Sequence, residues 1–461
     1  MIPPHASAGW KQELGKHLLV AVLTGSVVLV VAHTGYLNWL ESLSLRIAAV
    51  SSNRPGQLTA MAGDPDTPVV LAVGETMYET AFRESAPLDR AVLAQALGKV
   101  AAQRPRLLVV DLDLSPGPDG APDAAAQDQL DATLIRLAAE HAVRIELAAP
   151  LPVKSDALRK QKFAWMQKMC GAGLVFAQTG LTLSQAAVLR YDAEGTGLGQ
   201  TAARIWAQPD RVFQGELCDL VASGERYAVF LSSLWLAVPV PSPENFERQR
   251  PIEARYLRST ASDPRPIDAL DGAAGETDLT GRAVFIGANF NPSDSFLTAW
   301  GERPGVAIHA GIFVSALHPI APLSHRIAFL LDIAIGVLAG VLFHFTWHRY
   351  ALAERTVQTA PGSPLRAYGV ARLWLMGNFA LLIGIVLAFL YLSGLLFGYN
   401  IWVNPGPILI AVFFKNLLGS RAGLKLELDA TALPREGWIG RADVLLLSPF
   451  VLLALFYLLR A

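Results

Sequence analysis

Pro68-Val69-Val70-Leu71-Ala72-Val73 is an uncharged run of strand length, and it reads as a strand buried on both faces. The period then changes: in Leu88–Ala102 the apolar residues Val92, Leu93, Leu97 and Val100 recur at helical spacing. Leu107–Leu112 is again a strand run, Gln127–Ala139 is helical, and Val143–Ala148 and Leu174–Ala177 continue the series. Much later Ala283–Gly287 (AVFIG) reads as a strand and Val306–Leu317 as a helix. Strands alternating with helices predict an α/β layer structure, a mostly parallel sheet flanked by helices. Residues 180 to 280 are less regular and define no elements.

Outside this domain the composition changes. Only 17% of the 461 residues are charged, against roughly 25% in soluble proteins, and the deficit is local. The net charge of -1 gives no basic field for nucleic acid. His17–Leu40 carries no Asp, Glu, Lys or Arg, and as a helix it would reach about 36 Å, enough for a bilayer core of about 30 Å. Its apolar heart is Leu18–Val31, and Tyr36 and Trp39 suit an interfacial belt. A cleaved signal ending near Val30-Val31-Ala32 is the alternative; the length of the run favours an uncleaved anchor.

A second span is expected at 327–348, between Arg326 and Arg349. The uncharged run Leu373–Phe414 would be a helix of about 63 Å and must turn, at Gly398-Tyr399-Asn400 or Asn404-Pro405-Gly406-Pro407. We therefore expect two segments within 373–418 joined by a tight hairpin, the second spanning or re-entrant. The apolar tail 444–461 contains Pro449 and is short for a span, so it either crosses or lies in the interface.

Lys and Arg set the orientation. Lys11 and Lys16 lie in the tail 1–16, Arg349, Arg355, Arg366 and Arg372 in the connector 349–372, and Lys415, Arg421, Lys425, Arg435 and Arg441 in and around the linker 419–443. All fall on one side if the first four segments each cross once. That side is the cytoplasm, which puts residues 41–326 outside a bacterial inner membrane. Cys170 and Cys218 both lie in the outer stretch, where a disulfide is permitted; two unrelated buried thiols are the alternative.

Pro68–Val73, then Pro87-Leu88-Asp89-Arg90, then Leu108-Val109-Val110-Asp111 resemble the opening of a CHASE2 domain, an extracytoplasmic module of bacterial membrane proteins. The other end matches through Leu279-Thr280-Gly281-Arg282-Ala283-Val284-Phe285-Ile286-Gly287-Ala288, Asp294 and Pro304-Gly305-Val306-Ala307-Ile308-His309-Ala310. Ala254-Arg255-Tyr256-Leu257-Arg258 stands where that family has a small strand. The chain departs from the pattern at Gly74, where an acidic residue is usual and Glu75 is its neighbour, and at Ala307, commonly Glu. The resemblance implies a sensory input module, usually joined after three spans to a cytoplasmic cyclase, kinase or phosphatase. No such output domain is expected here, because about 25 polar residues and the tail are all that follow residue 418.

Candidate chemistry is sparse. Glu75, Asp111 and Asp113 lie at the carboxyl ends of the first two strands, where parallel sheets bind ligands, and Arg90, Asp294 and His309 join them if the fold allows. Such carboxylates hold a cation or a small molecule, or merely cap helices. Gly195-Thr196-Gly197-Leu198-Gly199 lacks the Lys-Ser/Thr of a phosphate loop, and no nucleophile elbow or zinc-protease motif occurs, so no enzyme, cofactor or resident metal is expected. In the second span Asp332, Gly336, Gly340, His344 and His348 recur every four residues. That stripe predicts close helix packing, within this chain's own bundle or against a partner subunit, with His33 of the first span facing Asp332. Beyond the lipid bilayer, the expected partner is another protein or a second copy, met through these helices. Two functions remain: a sensory protein acting through a separate partner, or a structural subunit of an envelope assembly.

Overall fold

The computed structural model describes residues 6–33, 38–51, 64–117, 124–140, 143–183, 187–208, 215–226, 229, 237–238, 249–268, 278–290, 294–359, 364–403 and 408–413. The linker 419–443 and the tail 444–461 lie outside the described residues. The chain divides into a helical unit (1–52, 242–247 and 321–461) and an α/β unit (53–241 and 248–320).

In chain order the elements begin with α1 (Ala6–His33), α2 (Asn38–Ser51), β1 (Val69–Val73), α3 (Glu75–Thr80), α4 (Arg90–Ala102) and β2 (Leu107–Asp111). Then come α5 (Ala124–Glu140), β3 (Arg144–Ala148), α6 (Asp156–Gly171), β4 (Val175–Ala177), β5 (Leu181–Thr182), β6 (Arg190–Asp192), α7 (Leu198–Ala207) and α8 (Glu216–Ser223). β7 (Ala237–Val238), β8 (Gln249–Pro251), α9 (Ala254–Arg258), β9 (Arg265–Pro266), β10 (Ala283–Ala288), β11 (Ser295–Thr298), β12 (Gly301–Pro304) and α10 (Gly305–Leu317) follow. The described chain closes with β13 (Ala321–Pro322), α11 (His325–Thr359), α12 (Pro364–Gly398) and β14 (Ile401–Trp402).

The main sheet has the order β4-β3-β2-β10-β1-β9, and every pair in it is parallel. The fold class is thus a parallel-sheet α/β core with flanking helices. β1, β10 and most of β2 are buried throughout, as expected of strands covered on both faces. One face packs Leu71, Leu108, Val110, Ile145 and Leu147 under α4, α5, α6 and α8. The other packs Val70, Val109, Val175 and Phe285 under α7, α9 and α10.

The glycine run at 195–199 has a packing role. A β-carbon on Gly199 would overlap the His309 backbone oxygen and come within 2.8 Å of the Ile312 Cβ, so α7 and α10 touch through backbone. Gly199→Ala is therefore expected to cost about 1–3 kcal/mol, read as a lowered Tm of the full-length protein in detergent. An unchanged Tm would mean that the two helices separate freely.

One expectation is corrected. Ala254–Arg258 forms helix α9, not a strand. Residues 254 to 257 are all buried, which an alternating strand on a single packed face does not achieve. Glu253 caps the helix, accepting from the Arg255 backbone N–H at 3.0 Å and from its guanidinium at 2.8 and 2.6 Å. Within the expected first span 17–40, α1 is described to His33 and α2 from Asn38. By its contacts α2 belongs to the helical unit, and the α/β unit covers 53–241 and 248–320.

In the helical unit α11 packs on α1 and α12, and α2 packs on α12. Gly336, Ala339, Gly340 and Phe343 are buried, so the small-residue stripe faces this chain's own helices. His344 reaches His17 of α1 with ring centroids 5.6 Å apart, and His348 follows at 6.1 Å. Asp332 is half-buried, and the side chain of His33, its expected partner, lies outside the described residues. Of the two segments expected within 373–418, the first is α12; Asn400 then has φ 60°, a conformation that Asn tolerates, β14 pairs with β13, and much of the second segment lies outside the described residues.

Candidate functional site

The two strands at the centre of the sheet send the chain to opposite faces. After β2 the chain goes to α5 on one side, and after neighbouring β10 it goes to α10 on the other. Between such strands a crevice opens at the carboxyl edge, the usual ligand position in parallel α/β sheets. Asp111, the last residue of β2, sits at this edge, in register with Gly287 of β10.

Glycines let α10 start against that edge. A β-carbon on Gly287 would lie 2.5 Å from the Val306 Cβ, and one on Gly305 would lie 2.8 Å from Asp294 Oδ1. The first turn of α10 thus rests on β10, with the Asp294 carboxyl against its first residue. One turn further along, His309 is 2% exposed, and its Nε2 stands 3.9 Å from Asp111 Oδ2, too far for a hydrogen bond. His309 Nδ1 is buried with no hydrogen-bond partner.

Burial dominates the electrostatics. It pushes the Asp111 carboxyl up to about 7. Asp294 also rises to about 7, first from burial and then from the negative Asp111, with His309 opposing. Burial lowers His309 to about 4, against Asp294 and a backbone contact at Thr179, so the ring is neutral near pH 7. Asp111 and Asp294 have no Lys or Arg partner among the described residues. The cluster can therefore take up and release protons near neutrality. Among the described residues no three His, Cys, Asp or Glu side chains are arranged to hold a metal ion.

The other expected residues do different work. Arg90 donates to the carbonyls of Asp113 (3.1 Å) and Ser115 (3.0 Å). Asp113 accepts from the Ser115 backbone and hydroxyl, the Leu151 N–H and Lys162 Nζ. Both residues thus tie down the loops after β2 and β3. Glu75 is exposed in the first turn of α3. Cys170 and Cys218 are joined as a disulfide between α6 and α8. Sequence reasoning passed over Glu146, although a Glu in the middle of a strand read as buried was the available signal. It is 0% exposed, and neither carboxylate oxygen has a hydrogen-bond partner.

The CHASE2 domain family model matches residues 23–342, more than two-thirds of the chain. The chain belongs to the CHASE2 domain family. CHASE2 is a family of sensory extracellular domains. The CHASE2 match begins inside α1, takes in the whole α/β unit and ends inside α11. No curated protein and no solved structure matches the chain.

Proposed function

We propose that this CHASE2 protein is a multi-pass sensory input protein of a bacterial inner membrane, with its α/β unit outside the cytoplasm. It passes its state to a separate protein and catalyses nothing itself. The observation that carries this reading is the surface of the two long helices. Arg326–Tyr350 and Gly369–Gly398 are long and apolar enough to cross a bilayer, yet only 28% and 11% of their apolar centres are buried. Leu330, Leu338, Leu373, Met376, Ile383, Leu387 and Tyr391 are all exposed, a surface suited to lipid and costly in water. The basic connectors then fix the orientation.

The internal connectors 349–372 and 419–443 are far below the size of a catalytic domain, which supports action through a partner. The structural-subunit reading drew on the expected lack of an output domain and on the helix stripe, whose Gly336 and Gly340 are buried within this chain. A reporter active only outside the cytoplasm is expected to work when fused after residue 200 and to fail after residue 360; the reverse result overturns the topology. Affinity purification from native membranes is expected to bring down a membrane or cytoplasmic signalling protein in substoichiometric amounts. A fixed-stoichiometry envelope complex would favour the structural reading.

A further inference from the structure

We propose that Asp111, Asp294 and His309 form a proton-binding site whose occupancy sets the docking of the first turn of α10, so that the domain reads the acidity of its compartment. The proposal rests on the sensory reading for its biological use and on the geometry for its chemistry.

Three titratable side chains from different parts of the chain come together, His309 buried and Asp111 and Asp294 partly buried. Asp111 ends β2, Asp294 lies in the connection after β10, and His309 lies within α10. The charged groups on the surrounding elements are committed elsewhere. Asp113 pairs with Lys162, Arg90 binds the carbonyls of Asp113 and Ser115, Arg204 of α7 faces Glu216, and Glu75 is exposed. Against His309 itself lie the backbone at Thr179 and the glycine face of α7. Among the described residues no fixed positive side chain therefore balances the two carboxyls, and protons remain to do so.

The consequence follows from position. With a proton on the pair, Asp294 is held against Gly305 with at most one negative charge in the site, which the partial positive charge at the N-terminus of α10 balances. As pH rises through about 7, both carboxyls ionise in a partly buried site. Their repulsion acts on the contact of the Asp294 carboxyl with Gly305 at the start of α10. Folded-state values above the unfolded ones mean that this docking is complete at low pH and is lost as pH rises through about 7.

Hydrogen exchange of the full-length protein in lipid nanodiscs tests the switch between pH 5.5 and 8.5, with rates corrected for intrinsic exchange. In the parent, protection of the amides of the first turn of α10 is expected to fall by up to about tenfold per pH unit near pH 7, while β2 stays protected. Asp294→Asn is expected to displace the midpoint downward, because Asp111 then titrates beside a neutral neighbour. The double variant Asp111→Asn/Asp294→Asn is expected to show a flat profile. A flat profile in the parent, or an undiminished slope in the double variant, overturns the switch. Should the double variant fail to fold, the parent profile and Asp294→Asn decide. A failure here alongside the expected topology rejects the proton switch and leaves the sensory reading standing.

Discussion

Serine at both Cys170 and Cys218 is expected to lower the stability of the full-length protein by about 4 kcal/mol in the chain-entropy account of cross-links. The two residues are 48 apart in sequence, with Cα atoms 5.7 Å apart, inside the usual range for a bridge. The loop they close contains β4, β5, β6 and α7, elements that cover one end of the sheet. Without the bond, the unfolded chain regains the freedom of that loop. The folded state also loses the tether on α8, an eight-residue helix too short to hold itself. Only Leu217, Cys218 and Val221 of α8 are buried. Urea unfolding in detergent is the measurement, and reductant added to the parent should reproduce the effect of the double variant. Thiol labelling of the unfolded, unreduced parent should modify neither cysteine. Two reactive thiols, or a double variant within about 1 kcal/mol of the parent, would sink this account. The bridge also bears on topology, because such bonds persist outside reducing compartments.

How far the fold could be read in advance depended on the range of the signal. β1, β2, β3 and β10 announce themselves because a strand covered on both faces must be apolar at every position. The helices between them announce themselves by their period. Ala254–Arg258 misled because five residues hold barely one helical turn, too few to separate the two periods. Its helix is decided by the Glu253 cap and by burial against α10, of which only the cap is local. The site shows the same division. That Asp111 stands at a carboxyl edge is a local statement about one strand. That it meets His309 depends on β10 lying between β1 and β2, a pairing of residues some 170 positions apart that no local pattern contains. Arg90 and Asp113 looked equally eligible by residue type. They were lost to the site because Lys162 and the carbonyl oxygens of the β2 loop reach them first.

A further pH dependence of stability is expected to come from Glu146, a residue outside that site. It lies mid-strand in β3, pointing away from the face that buries Ile145 and Leu147. Its side chain is 0% exposed, and both carboxylate oxygens lack a hydrogen-bond partner. Burial pushes this carboxyl well above the ordinary range, and the charge of Arg204 only partly opposes it. Glu146 is therefore folded in its neutral form. In the unfolded chain a glutamate ionises near pH ~4.3. Below that pH both states are protonated, and the contribution of Glu146 to stability is fully present. Above it only the unfolded state ionises, so stability falls by about 1.4 kcal/mol per pH unit until the folded carboxyl itself gives way. Glu146→Gln keeps the shape and removes the titration. Near pH 4 the variant should match the parent or fall slightly below it, and it should overtake the parent progressively toward pH 8. Asp111 and Asp294 tilt the parent curve in the same direction, so the informative quantity is the difference between the two proteins. Urea midpoints of parent and Glu146→Gln at four pH values from 5 to 8 supply it. Parallel curves across that range would show that Glu146 is ionised in the fold, with a cation or water satisfying it.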